Sequence, residues 1–374
     1  MITRLYADNF KTLVNFELPL GPMNLLLGAN GSGKSTVLEA LWLIREFVCS
    51  GKGSTVLFPA SSLCRWDTRT VQTFEIDLQE NEGAFTYKLE IEHDVERDAC
   101  KVKSECLSYN QRPLYVSDAE GTQLYHDDGI ASDRVVIDRG HAGVGLVPPR
   151  GKGILLTEFR KRLEYVWVLQ IRPDKMLAKS GKETAHPVKD MSDFVAWYRY
   201  LSLDQPHRVL ELTEVLKTEV LDGFYSLRLK PVGEKSRALW AVFSAKPNEK
   251  ATKRVAEFRF GELSDGQRTL IALYALAICA VDEENTLCLD HPESHLALPE
   301  IQPWLLRLAD ATEEGRCQAI IATHHPELIN LLAANAGYWL ERQSGGPTRV
   351  RRIGDQDGSG LPISELIARG WLHG

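Results

Sequence analysis

Apolar and polar positions repeat along this chain with two different periods, and the places where the period changes mark out its elements. The N-terminal stretch alternates in short runs and ends in Met23-Asn24-Leu25-Leu26-Leu27, which predicts two or three short strands. Ser35–Phe47 then repeats at helical spacing, with Val37, Leu38, Leu41, Ile44 and Phe47 on one stripe. Residues 51–63 are rich in glycine and serine and predict a loop. Between 70 and 138 the period drops to two, as in Thr73-Phe74-Glu75-Ile76-Asp77-Leu78 and Phe85-Thr86-Tyr87-Lys88-Leu89-Glu90-Ile91. Turn residues such as Glu80-Asn81-Glu82-Gly83 separate these runs, so the segment predicts an antiparallel meander.

A Pro/Gly-rich break, Val147–Gly153, precedes a basic helix around Glu158–Leu163 and an apolar strand, Tyr165–Ile171. Residues 172–190 are polar, carry the run Ala178-Lys-Ser-Gly-Lys-Glu-Thr and predict a mobile loop. Asp190–Leu201 and Gln205–Val220 predict two helices, and three alternating runs (Tyr225–Leu229, Ala238–Phe243, Arg254–Phe260) lead to Gly261. Beyond Gly261 the order helix, strand, helix, strand, helix predicts parallel α/β structure. Ser344–Gly360 predicts a loose turn or linker. The stretch from Leu361 to Gly370 predicts a short amphipathic helix, packed on its own sheet or on a partner.

Composition narrows the setting. A chain of 374 residues can bury a large core, as one big domain or two lobes. The formal charge of −7 gives no whole-molecule argument for nucleic acid. Basic clusters at Arg150/Lys152, Arg160-Lys161-Arg162, Lys250/Lys253/Arg254 and Arg349/Arg351/Arg352 read as solvated faces or as one nucleic-acid patch. The seven cysteines are scattered with no C-x-x-C pair, which predicts reduced thiols and a cytoplasmic chain. The N-terminus lacks the pattern of a secretion signal, and the longest apolar stretch, Leu270–Val281, is too short to cross a bilayer. No membrane association is expected.

The chemistry concentrates in a few short motifs. Gly28-Ala-Asn30-Gly31-Ser32-Gly33-Lys34-Ser35-Thr36 fits G-x-x-x-x-G-K-[ST] between an apolar strand and a helix. Its glycines let backbone N–H groups point at phosphate oxygens, and the helix N-terminus adds a favourable partial charge. Lys34 is expected to reach the β- and γ-phosphates of ATP, and the Ser35 hydroxyl to sit on Mg²⁺. Downstream, Gly261-Glu-Leu-Ser264-Asp-Gly266-Gln267 precedes a long apolar helix, with Ser264 a good N-cap and Gly266 open to close backbone approach.

Two further blocks complete a pattern. Leu289-Asp290-His291-Pro292-Glu293-Ser294-His295-Leu296 and Ala322-Thr323-His324-His325-Pro326-Glu327-Leu328 each follow an apolar run. Together with the entry Asn9-Phe10-Lys11, the phosphate loop and Leu263-Ser264-Asp265-Gly266-Gln267, they resemble ABC-type ATPases of the SMC/RecF/OLD-like branch. The motifs run in that family's order across residues 2–328.

The resemblance implies a two-lobe, ABC-type P-loop ATPase head of the α/β class, with an antiparallel β subdomain and a partly helical lobe. Residues 1–171 and 262–374 would form the nucleotide-binding lobe and 172–261 the signature lobe. No long heptad run lies between the phosphate loop and the signature, so no coiled-coil arm is expected. By the same resemblance Asp290 would hold Mg²⁺ through its water shell, His324 would contact the γ-phosphate, and Gln170 would sense metal and water. Gln170 also reads as an ordinary strand-end residue. Ser264, Gly266 and Gln267 would meet ATP bound to the opposite subunit, which implies a homodimer or higher homo-oligomer. Such ATPases commonly work in anti-phage defence beside a separate effector such as a nuclease. A DNA-repair ATPase and a non-hydrolysing, ATP-locked scaffold are the alternatives.

One position departs from the family. His291 stands where a glutamate usually polarises the attacking water. Histidine accepts a proton near neutral pH, with a reference pKa of ~6.5, but brings no negative charge. General-base assistance contributes roughly 10²–10⁴-fold, so slow hydrolysis is expected unless His291 serves as the base.

Overall fold

A computed structural model describes residues 1–80, 82–148, 154–244, 255–281, 285–343, 345–354 and 361–370. Strands β1 (Ile2–Asp8), β2 (Phe16–Pro19) and β3 (Met23–Leu27) lead into helix α1 (Lys34–Cys49), followed by the short α2 (Ser54–Leu57). The meander comprises β4 (Val71–Gln79), β5 (Ala84–Asp94), β6 (Ala99–Tyr109), β7 (Arg112–Asp118), β8 (Gly121–Tyr125) and β9 (Ala131–Val135). Helices α3 (Gly143–Leu146) and α4 (Ile154–Glu164) then reach β10 (Val166–Leu169). Next come β11 (Lys179–Ser180), α5 (Phe194–Asp204), α6 (Pro206–Val215), β12 (Phe224–Val232), β13 (Ser236–Ser244) and β14 (Val255–Arg259). The chain closes with α7 (Asp265–Cys279), β15 (Thr286–Asp290), α8 (Leu298–Glu313), β16 (Gln318–Ala322), α9 (Pro326–Ala336), β17 (Gly337–Glu341), β18 (Arg349–Arg352) and α10 (Ile363–Ala368).

These strands form three sheets. The meander joins β1 and β2 in an eight-stranded antiparallel sheet, ordered β2-β1-β4-β5-β6-β7-β8-β9. Its strands alternate buried and partly exposed residues, as a sheet with one packed face must. The six-stranded sheet runs β10-β15-β16-β3-β17-β18, parallel except for its last pair. Its central strands are buried on both faces, as the apolar runs Thr286–Asp290 and Gln318–Ala322 require. A small sheet of β11, β12, β13 and β14 lies beyond α5 and α6.

The two-residue period of the parallel strands divides the core. Leu25, Leu27, Leu287, Leu289, Ala319 and Ile321 face the apolar cluster built with α5, α7, α8 and α9. Leu26, Cys288, Ile320 and Ala322 face the opposite cluster, with α1, α4 and the antiparallel sheet. The parallel sheet is therefore sandwiched between a helical layer and a second layer that itself carries a sheet. Gln318 ties the two sheets together. Its amide donates to the carbonyls of Ile2 (2.6 Å) and Gly21 (2.8 Å), and its oxygen accepts from the Ile2 N–H at 2.9 Å.

The α/β class, the antiparallel β subdomain and the partly helical lobe expected from the sequence are present, and no coiled-coil arm occurs among the described residues. Several local expectations change. The N-terminal strands do not stay together: β1 and β2 join the meander, whereas β3 enters the parallel sheet. The predicted loop 51–63 contains α2. The predicted mobile loop at 178–184 is instead anchored, because β11 pairs with β13 and Glu183 takes an ion pair with Arg199. The linker expected over Ser344–Gly360 holds strand β18, paired with β17. The C-terminal helix α10 packs on α9 of its own chain and buries Leu366. The clusters Arg150/Lys152 and Lys250/Lys253/Arg254 lie outside the described residues. All seven cysteines are free thiols. No described helix is long and apolar enough to cross a membrane.

Candidate functional site

Parallel pairing brings the distant motifs level. Asp290 at the end of β15 sits opposite Ala322 of β16, and Ala322 sits opposite Leu26 of β3. The residues that follow these strand ends, Gly28 to Thr36, His291 to His295, and Thr323 to His325, therefore crowd one edge of the sheet. Ligands of open α/β sheets bind at this carboxyl edge.

The loop from Gly28 to Lys34 turns through left-handed backbone at glycines only, with φ of 145° at Gly28, 76° at Gly31 and 106° at Gly33. At Gly28 a Cβ would lie 2.1 Å from the Leu340 carbonyl oxygen, so the close approach of β17 demands glycine there. Asn30 and Gly31 are exposed at the crest, while Ser32 and Gly33 are buried. The Lys34 ammonium turns back to the carbonyls of Gly28 (2.8 Å) and Ala29 (3.0 Å). Burial pulls its pKa below the ordinary lysine value, against the opposing pull of Asp290. The Ser35 hydroxyl donates to Asp290 Oδ1 at 3.1 Å. Thr36 follows in the first turn of α1 and is partly buried.

Across from this loop, His291 takes φ of 52° and donates its N–H to the Ala322 carbonyl at 2.9 Å. Its Nδ1 lies 3.3 Å from Glu293 Oε1, its Nε2 3.9 Å from Asp290 Oδ1, and its ring centroid 4.6 Å from that of His324. The bond to Glu293 raises the His291 pKa, with burial opposing. Burial, and then the nearby charges of Lys34 and His291, lower that of His324. At Glu293 burial works to raise the pKa, but the hydrogen bonds from His291 and from Thr323 Oγ1 (2.7 Å) win and hold it low. Its other oxygen, Oε2, is buried with no partner among the described residues. His324 is exposed at the strand end.

Gln170 directly follows β10, beside the end of β15, with its N–H on the Lys189 carbonyl at 2.8 Å. Its side chain lines a separate cleft with Trp42 and Lys189, and among the described residues it hydrogen-bonds to none of Ser35, Asp290 and His291. Ser264 caps α7: its hydroxyl accepts from the Gln267 N–H at 3.2 Å, and Gln267 Oε1 accepts from the Ser264 N–H at 3.1 Å. A Cβ on Gly266 would lie 2.9 Å from the His295 carbonyl, so the signature segment packs against its own 291–295 turn. No described hydrogen bond joins it to the phosphate loop of the same chain.

Two contributors escaped sequence reasoning. The Thr348 hydroxyl donates to the Ser32 carbonyl at 2.9 Å and shares a hydrogen bond with Thr12. Arg342 holds the Gly31 carbonyl at 3.2 Å, with its guanidinium 4.8 Å from the exposed Trp66 ring. Neither carries a local signal, since the phosphate-loop carbonyls they hold lie more than three hundred residues away in sequence.

The family model described as the RecF/RecN/SMC N-terminal domain matches residues 1–344. The chain is 46% identical over 44 residues to the OLD nuclease of Thermus scotoductus, a stretch covering 12% of this chain and 8% of that protein. It is 48% identical over 44 residues to the DNA replication and repair protein RecF of an Enterobacter species, 12% of each chain. The likeness to these relatives thus spans a small fraction of their length. Among solved structures, the SMC head domain of Thermotoga maritima aligns with a TM-score of 0.44 and 14% identity, over 95% of this chain and 99% of that one.

Proposed function

This chain belongs to the RecF/RecN/SMC N-terminal domain family, whose members are ABC-type ATPases, and from that premise we propose that it binds ATP with Mg²⁺, hydrolyses it slowly and dimerises around it. The observation that carries this reading is the convergence of Lys34, Ser35 and Asp290, with the Ser35 hydroxyl 3.1 Å from the Asp290 carboxylate. That pair offers the hard oxygen donors that Mg²⁺ prefers. The Lys34 ammonium, whose hydrogen bonds among the described residues go to neutral carbonyls of its own loop, can exchange them for phosphate oxygens.

In this reading the N–H groups of Asn30 to Thr36 cradle the phosphates, with Gly31 and Gly33 giving the loop its curvature. Bound Mg²⁺ would supply charge neutralisation at the β- and γ-oxygens. His324 reaches toward the terminal phosphate, and Gln170 serves as the sensor at the strand end. Ser264, Gly266 and Gln267 are offered to the nucleotide of a second copy. His291 is the weak point, because its imidazole cannot provide the carboxylate charge that polarises water.

We read the chain as the sensor or scaffold for a separate effector, nuclease in kind, in cytoplasmic anti-phage defence. The ground is its resemblance to OLD-like ATPases. Phosphate release tests the enzymatic core: turnover above about 1 s⁻¹, the lower edge of ordinary enzymes, would sink the slow-site reading. Lys34→Ala should weaken ATP binding by about a hundredfold, as loss of charged hydrogen bonds predicts, and abolish any ATP-dependent dimer seen by native mass measurement.

A second reading, an ATP-locked scaffold with no turnover, is favoured by His291 itself. Stable assembly with ATP and undetectable phosphate release would select it. A third, a DNA-repair ATPase, draws on the RecF likeness and predicts ATP-stimulated binding to gapped DNA without any partner.

A further inference from the structure

Beside the nucleotide edge, a cleft of about 500 Å³ opens between α1, the end of β10 and residues 186–190. Its size is that of a small-molecule site. Five cationic side chains line it (Arg45, Lys52, Arg172, Lys175 and Lys189) against two carboxylates, Glu46 and Asp190. Glu46 is engaged by both Arg45 and Lys52. The remaining cations are held loosely. Lys175 meets Asp190 at 3.5 Å and Arg172 meets Asp174 at 3.4 Å, in pairs open to water that contribute little. Lys189 has no carboxylate partner among the described residues and lies 4.9 Å over the Trp42 ring.

Two buried nitrogens point to an occupant. Arg45 Nε and His186 Nδ1 are both enclosed and lack a hydrogen-bond partner among the described residues. Leaving such groups unpaired is costly, and a small turn of either side chain toward the cleft would let a ligand oxygen satisfy it. His186 stands edge-on to Trp167, with ring centroids 5.7 Å apart, which fixes its place in the wall. The wall is also tied to the strand end. The Gln170 N–H donates to the Lys189 carbonyl at 2.8 Å, and the Arg172 N–H to the Asp190 carbonyl at 3.2 Å.

We propose that this cleft is a second ligand site, separate from the phosphate loop, that takes a small polyanion of the phosphate-ester class. Lys189, Arg172 and Lys175 hold its charge, Arg45 and His186 meet its oxygens in the depth of the cleft, and the Trp42 indole offers an aromatic neighbour. Because the Lys189 carbonyl accepts from the Gln170 N–H, and the Asp190 carbonyl from the Arg172 N–H, occupancy reaches the position read above as the ATP sensor.

The test uses the full chain carrying Lys34→Ala, which weakens the phosphate-loop site about a hundredfold, so that binding lost on substitution of the cleft is read apart from the ATP reading. Titration calorimetry at low salt would follow inorganic tripolyphosphate, ADP and citrate. One phosphate ligand per chain should bind, more tightly than citrate. Adding Arg172→Ala and Lys189→Ala, both on accessible walls, should weaken it about tenfold or more, as the loss of charged contacts predicts. ADP binding tighter than tripolyphosphate supports a nucleotide ligand, and the reverse supports a simple polyphosphate. Absence of binding by both phosphate ligands overturns the proposal. So does citrate binding as tightly as they do, or an affinity that the two substitutions leave unchanged in a protein with an undisturbed melting temperature.

Discussion

Two turns meet at the edge of the parallel sheet, and they reach similar backbone shapes by opposite means. The phosphate loop uses glycine at each of its left-handed positions, Gly28, Gly31 and Gly33. The turn after β15 uses none: His291 and His295 stand at φ of 52° and 74°. Left-handed backbone costs an L-residue roughly 1–2 kcal/mol. The first turn is thus relaxed by its own sequence, whereas the second is held by its surroundings. The His291 N–H is fixed to Ala322, and the His291 side chain is fixed to Glu293, itself bonded to Thr323. The comparison separates a turn whose shape is local from one whose shape depends on β16.

The largest expected effect breaks the relaxed turn. Gly28→Ala places a Cβ 2.1 Å from the Leu340 carbonyl, against backbone that cannot yield, at φ of 145°. We expect a loss of about 4 kcal/mol of stability in denaturant unfolding, in the range of severe packing lesions. A loss below about 1 kcal/mol would contradict the close approach of β17. Next in size is His291→Glu, which restores a carboxylate to the strained turn. Phosphate release should rise about a hundredfold at saturating Mg²⁺, the lower end of general-base assistance. An unchanged rate would mean that the missing carboxylate does not limit hydrolysis.

The contrast also explains what could be read before the fold was known. Lys34, Ser35 and Asp290 were legible because each sits in a short motif flanked by an apolar run, and parallel register does the rest. The left-handed shape of His291 was not legible, since it follows from its N–H reaching Ala322 on a neighbouring strand. The tilted contact between the His291 and His324 rings, and the bond from Thr348 to Ser32, were hidden for the same reason. The polar run 178–184 reads as a mobile loop because composition alone does not reveal the pairing of Lys179 and Ser180 with β13. Likewise, alternation gave β1 and β3 the same appearance, although only pairing decides which sheet each enters.

A smaller effect tests what holds the strained turn. Glu293→Gln removes the charge that faces His291 while leaving an oxygen for Thr323 to bond. Breaking a buried ion pair costs ~3–5 kcal/mol, but His291 retains some exposure, so the expected loss is about 1.5 kcal/mol. Urea unfolding measures it. Stability equal to wild type would show that the register with β16 alone fixes the turn.

The smallest effect isolates the backbone itself. Gly31 and His295 share nearly the same left-handed φ, 76° and 74°, and both are exposed. A Cβ at Gly31 would meet nothing within 4 Å, so Gly31→Ala sets the cost of the left-handed conformation against the entropy that an unfolded glycine gives up. It should destabilise the chain by about 0.5 kcal/mol. His295→Gly runs the opposite way: it relieves that cost but adds the entropy of an unfolded glycine, which offsets roughly half. The net gain should be about 0.5 kcal/mol, and His295→Gly should melt above His295→Ala, which keeps the strain. The pair is informative because the signs are opposed at one φ. If both substitutions destabilised equally, the His295 conformation would be stabilised by its own side chain, and the turn after β15 would be as local in origin as the phosphate loop.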